Sequence, residues 1–165
     1  MSRNWLMSRK IFLVLLIASA AMMGVAYWME NHLHLTPCPL CMTQRVFVVA
    51  VGITALAATL HGAALVGTRI YAALIFLWSV VGGGFSSRHL WLQNLPADQV
   101  PECGPSIDYI LETFPPMEIL EVLLRGSGDC AKVDWSFLGV SIPGWTLLGF
   151  VMIALSVAWV GFRAR

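Results

Sequence analysis

Charged side chains are scarce in this chain. Asp, Glu, Lys and Arg make up 12% of its 165 residues, while 58% are hydrophobic. Soluble domains carry about 25% charged and about 45–50% apolar residues, so a water-soluble globule is excluded and a bilayer is the expected solvent. The polar–apolar alternation of a membrane barrel strand is also missing, which leaves helices as the means of satisfying the backbone in lipid. There is no internal repeat, no low-complexity tract and no soluble-domain boundary. Outside the apolar runs the one substantial segment, about 87–144, is too small for an independent core. Cysteine is sparse as well, with four in all: Cys38, Cys41, Cys103 and Cys130.

A membrane-spanning helix needs about 20 residues, range roughly 17–25. Four runs approach that length, at about 11–28, 42–60, 70–86 and 145–162. They predict an all-α integral membrane four-helix bundle, a single domain over 1–165, with outer loops at about 29–41 and 87–144. Arg3, Arg9, Lys10, Arg69, Arg163 and Arg165 fall in the tails and the second connection, which the positive-inside rule assigns to the cytoplasm. Both termini are then expected inside, and all four cysteines outside, where disulfides persist. Trp28, Trp91 and Trp145 near outer ends, and Trp5 and Trp159 near inner ones, suit an aromatic belt. Arg9-Lys10 ahead of an apolar run and Ala18-Ser19-Ala20 has the outline of a cleavable signal peptide, but the run outlasts the usual limit of about 15 residues, so a retained helix is expected. In the second loop, Pro116 to Arg125 reads as a short amphipathic helix, lying on the membrane plane or packing on the bundle.

The chemistry concentrates where the second helix begins. Cys38-Pro39-Leu40-Cys41 is a C-x-x-C motif, which brings two sulfurs within bonding reach and tends to lower one thiol's pKa. With the helix starting near Met42, Cys41 stands at its positive end and Arg45 one turn on, on the same face. Arg45 lies on the outer side at a depth where a charge is expensive, either as a functional group or snorkelling to head-groups. A thiolate and a guanidinium at the membrane edge suit a lipid-soluble acceptor that turns anionic on reduction, as a quinone does. His89, at the outer end of the third helix, is a candidate to donate to such an acceptor. A bridge between Cys103 and Cys130 would restrain the unfolded chain by roughly 3–4 kcal/mol, yet Pro101, Glu102, Gly104 and Pro105 give Cys103 the exposed setting of a labile, exchanging bond. Zinc held by the cysteines with His32 and His34 is disfavoured, because structural sites use two close-spaced pairs.

Taken together, Cys38 through Arg45, Arg88-His89 ahead of Trp91-Leu92-Gln93, the Cys103/Cys130 pair and the run from Cys130 through Trp135 to Gly139 and on to Pro143-Gly144-Trp145 resemble the bacterial disulfide bond formation protein B (DsbB) family over essentially the whole chain. The resemblance implies a four-helix inner-membrane thiol oxidase. It would reoxidise a DsbA-like periplasmic thioredoxin-fold protein and pass the electrons to ubiquinone or menaquinone. It further implies disulfides Cys38–Cys41 and Cys103–Cys130, transient bonding of Cys103 to the partner, attack by Cys130 on Cys38, and a Cys41 thiolate facing a quinone lined by Arg45 and His89. Many members have an acidic residue just before this arginine; here it is Gln44, which bears on quinone preference. The competing readings are a vitamin K epoxide reductase-like quinone reductase and a non-enzymatic scaffold with structural bridges.

Overall fold

The computed structural model describes residues 3–62, 65–96, 98–102, 109, 112–115, 117–118 and 126–163. Among these, four helices are long and apolar enough to cross a membrane: α1 (Arg3–Leu33), α2 (Pro39–His61), α3 (Leu65–Gln93) and α4 (Ile142–Arg163). All four overrun the expected bounds. A helix satisfies its own backbone, so it need not stop where the apolar run stops. At the end of α1, for example, Asn31 Nδ2 donates to the Tyr27 carbonyl at 2.8 Å and His32 Nδ1 lies 3.2 Å from that of Trp28.

The start of α2 differs most consequentially from the reading near Met42. Pro39 occupies the first turn, where its missing N–H costs nothing. Cys38 is the cap, its sulfur accepting from the Cys41 backbone N–H at 3.4 Å. Cys41 therefore sits inside the first turn rather than ahead of it. The other end closes on Gly62, in the left-handed conformation with its N–H on the Ala58 carbonyl at 3.3 Å.

Packing relies on small residues. Gly52, Ala55 and Ala58 of α2, with Ala72, Ser79, Gly82 and Ser86 of α3, are buried where helices approach, while Val14, Ile53, Val66 and Leu155 face outward to lipid. Without a hydrophobic drive in lipid, such close approach supplies the attraction. The Ser79 and Ser86 hydroxyls donate to the carbonyls four residues back, at 2.8 and 3.0 Å. α2 packs between α1 and α3, and α3 packs on α4, whereas the backbones of α1 and α4 approach closely at few points. The result is a bundle with an open seam between its first and fourth helices.

A small element was not anticipated. β1 (Ser136–Phe137) and β2 (Val140–Ser141) pair antiparallel around Leu138 and Gly139, both at positive φ (53° and 77°), the geometry of a two-residue hairpin turn. Strands of two residues leave no periodic signature to read. Ser141 Oγ donates to Gln93 Oε1 at 2.7 Å and Trp145 Nε1 donates to the Phe137 carbonyl at 3.2 Å, which anchors the hairpin to α3 and α4. The amphipathic helix expected over Pro116 to Arg125 lies largely outside the described residues.

A methyl group on Gly82 would overlap the buried ring of Phe150, whereas one on Gly84 meets nothing within 4 Å. Gly82→Ala is expected to destabilise the bundle by about 1–3 kcal/mol, an overpacking cost. Denaturant titration in detergent measures this, with Gly84→Ala as the unchanged control.

Candidate active site

The outer end of α2 and α3 gathers sulfur and imidazole in one buried cluster. The cap geometry of α2 brings Cys38 Sγ to 3.2 Å from Cys41 Sγ. His89, on the last turns of α3 and 2% exposed, presents Nε2 to Cys38 Sγ at 3.8 Å and Nδ1 to Cys41 Sγ at 3.9 Å. Gln44 Nε2 lies 3.2 Å from Nδ1. With that amide donating, the ring proton resides on Nε2 and points at Cys38.

Cys130 reaches the cluster from the long loop. Gly126 takes a positive φ of 74° where a side chain would strike Leu92 and Leu40, so the loop can lie directly on the ends of α2 and α3. A single 3-10 turn, Gly128–Ala131, then inserts the fully buried Cys130 beside Cys38, and Gly128 N–H donates to the Glu102 carbonyl at 3.1 Å. The ligand atoms of Cys38, His89 and Cys130 all lie within 4.8 Å of one another.

Cys38 and Cys130 titrate in opposite directions. Hydrogen bonding to Cys130 and to Cys41, with Cys38 as the donor, combines with burial to raise Cys38 far above the ordinary thiol range. The same bond from Cys38 lowers Cys130 to about 6 against the effect of burial, helped by the backbone N–H groups of Ser127 and Leu40. One anion is thus shared by the pair and resides on Cys130.

On the other side of Cys41 is a cavity of about 110 Å³ at the outer end of the α1–α4 seam. Met22, Met23, Ala26, Met29, Val48 and Ile142 supply apolar wall; Cys41, Gln44, Arg45, Glu30 and Asp134 supply polar groups. Arg45 Nη1 donates to Glu30 Oε2 at 2.7 Å. The guanidinium is thus paired with the carboxylate rather than with Cys41, and lines the same cavity as that sulfur. His89 is not part of this cavity's lining; its ring contacts the Cys38 and Cys41 sulfurs instead.

This arrangement, a C-x-x-C pair capping a membrane helix with a third cysteine folded onto it, has relatives. A family model described as "Disulfide bond formation protein DsbB" matches residues 8–160. The chain belongs to the DsbB family. It is 47% identical over 158 residues to "Disulfide bond formation protein B" of Hahella chejuensis, covering 94% of this chain and 96% of that one. It is also 47% identical over 156 residues to the protein of the same name in Saccharophagus degradans, covering 94% and 93%. With "Disulfide bond formation protein B 1" of Pseudomonas aeruginosa it shares 42% over 154 residues, 93% and 91% of the two chains. As a DsbB-family protein with four spanning helices, it is a multi-pass membrane protein with a redox role in disulfide bond formation.

Of the residues singled out in the sequence, Cys38, Cys41, Cys130 and His89 come together, Arg45 lines the same cavity as Cys41, and Cys103 lies outside the described residues. The sulfurs of Cys38, Cys41 and Cys130 are unbonded here, with those of Cys38 and Cys41 at 3.2 Å. His32 and His34 are exposed and take no part. Glu30, the acid at the outer end of the first span, escaped functional notice, while Gln44, noted for its bearing on quinone preference, is a buried amide at 3% exposure set against the His89 ring. A charge at the same membrane depth as Arg45 was the available signal for Glu30.

In a reduced Cys41→Ser/Cys103→Ser variant, ultraviolet thiolate absorbance is expected to rise through a midpoint near pH 6, reporting Cys130. Adding Cys38→Ala removes the donor and moves that midpoint up toward the ordinary value of about 8.5. A parent midpoint already at the ordinary value refutes the shared-anion picture.

Proposed function

We propose that the protein is a thiol:quinone oxidoreductase of the bacterial inner membrane. It reoxidises a DsbA-like periplasmic dithiol protein by disulfide relay and delivers the electrons to ubiquinone or menaquinone. The observation that carries this reading is the position of Cys41, with Cys38 and Cys130 behind it and an apolar cavity containing Arg45 in front.

The relay follows from thiol exchange, in which a thiolate attacks one sulfur of a disulfide and expels the other. A thiolate of the reduced partner attacks Cys103 of a Cys103–Cys130 disulfide, releasing Cys130 as the anion. Cys130 attacks Cys38 of the oxidised C-x-x-C pair, which breaks the Cys38–Cys41 bond and leaves the electron pair on Cys41. Two features support this order. Cys130 is adjacent to Cys38 and carries the lowered pKa, close to ambient pH, where attacking thiols perform best. Cys41 is the member of the pair that lines the cavity.

The cavity residues suit a quinone. Methionine and aliphatic walls match an apolar ring, and the Arg45 guanidinium is a donor for a carbonyl oxygen that gains charge. Bound there, a quinone supplies a two-electron, two-proton acceptor. Glu30 holds Arg45 in place and neutralises it, Gln44 fixes the His89 ring, and His89 steadies the sulfurs. The seam between α1 and α4 gives a path from lipid, and an aromatic group, Trp135, Phe137 and Trp145, flanks a second apolar hollow that shares Met22, Ala26, Met29, Ile142 and Thr146 with the first. Arg9, Lys10, Arg69 and Arg163 lie at the bundle end opposite the cysteines, which supports a periplasmic active site and cytoplasmic termini.

Purified protein in detergent with quinone is expected to oxidise a reduced thioredoxin-fold dithiol protein catalytically; no turnover under these conditions leaves the scaffold reading. Cys41→Ser should abolish quinone reduction, while Cys103→Ser should chiefly lose the reaction with the dithiol protein. Full activity of both variants with both substrates would exclude the relay. Arg45→Ala removes a charged hydrogen-bond donor worth about 1.5–3 kcal/mol, so the quinone KM should rise roughly ten- to a hundredfold. An unchanged KM leaves Arg45 a membrane anchor.

A further inference from the structure

The group formed by Cys38, His89 and Cys130 is more than a relay contact. Its three donors are two thiols and an imidazole, soft and borderline ligands of the kind that select d10 ions such as zinc. They come from three separate parts of the fold: the cap of α2, the last turns of α3 and the 3-10 turn of the long loop. Tetrahedral zinc with Zn–S near 2.3 Å and Zn–N near 2.0–2.1 Å places its ligand atoms about 3.5–3.8 Å apart. Cys38 Sγ and His89 Nε2 already stand at 3.8 Å, and no pair of the three exceeds 4.8 Å. Closure by about 1 Å therefore completes a three-ligand site.

Charge decides which ions fit. The cluster is buried under Leu40 and Leu92, where an uncompensated charge is costly. A divalent ion with two thiolates and a neutral imidazole is electrically balanced; a monovalent ion on the same ligands is not. We infer that the reduced protein binds one zinc-class divalent ion through Cys38, His89 and Cys130, and that the bound form is an arrested state of the enzyme. Near neutral pH binding is balanced by release of one proton, that of Cys38, since Cys130 is already the anion of the pair, and it involves no change of oxidation state. The arrest rests on the proposed relay, because the ion takes the two sulfurs that must exchange; the binding itself does not.

This site is distinct from simple chelation by the C-x-x-C pair, and that contrast supplies the test. Cd2+ is titrated into reductant-treated full-length protein in detergent, with Cys103→Ser as background, and the sulfur-to-cadmium charge-transfer absorbance is read. One equivalent is expected to bind and to be displaced by Zn2+. Cys130→Ser, Cys38→Ser and His89→Ala should each weaken binding more than about tenfold, since even outer-shell partners cost that much at metal sites. Cys41→Ser should retain it, and oxidation that joins Cys38 to Cys41 should abolish it. Full binding by Cys130→Ser, or its loss in Cys41→Ser, overturns the proposal. If the absorbance behaves as stated but zinc leaves thiol oxidation unaffected in the parent protein, the site stands and the arrest is refuted.

Discussion

The first turn of α2 is the constraint on which the rest of the active site depends. A helix begins with backbone N–H groups that lack partners, and Cys38 answers one of them by accepting from Cys41 N–H. Pro39 sets the backbone for that turn. The consequence is that two sulfurs three residues apart converge at 3.2 Å, one buried behind the helix end and one facing the cavity. A cap elsewhere in the motif would not divide the pair in this way. Because the cluster is enclosed by Leu40 and Leu92, negative charge there has to be shared through hydrogen bonds, which separates the titration of Cys38 from that of Cys130.

The membrane sets the second condition. A lone guanidinium at the depth of Arg45 is expensive, by about 2.5–3.5 kcal/mol at the centre of a bilayer and less near its surface. Glu30 offsets this by forming a pair that is neutral overall. The cation is thus retained beside the cavity without an uncompensated charge. Small residues draw α2 to α1 and α3, and α3 to α4, whereas α1 and α4 approach at few points, Gly149 against Met22 among them. The resulting seam is where a lipid-soluble molecule can enter, so packing that holds three helix pairs together also leaves the site reachable.

Much of this was legible in the residues themselves. The four spans, the C-x-x-C motif at the head of the second helix and the depth of Arg45 all follow from local pattern. The extent of the helices was less so, because polar residues such as Arg88, His89 and Gln93 continue a helix whose backbone is already satisfied. The i,i+4 relation between Cys41 and Arg45 was read correctly as proximity on one face, yet the guanidinium follows the stronger partner, Glu30, from another helix. His89 looked incidental as a single interfacial histidine. Its weight comes from contacts with residues 45 to 51 positions away, which no local pattern encodes.

The sequence by itself determined that the chain lies in a membrane as four helices with its thiols outside the apolar runs, because span length and hydropathy are local properties summed along the chain. Only the tertiary structure decided that Cys130 lies on Cys38, that His89 and Gln44 back the sulfurs, and that Glu30 takes Arg45. Those pairings depend on helix rotation and on how a loop docks. Both are set by side-chain packing between distant segments, in which a single turn of helix moves a group to the opposite face.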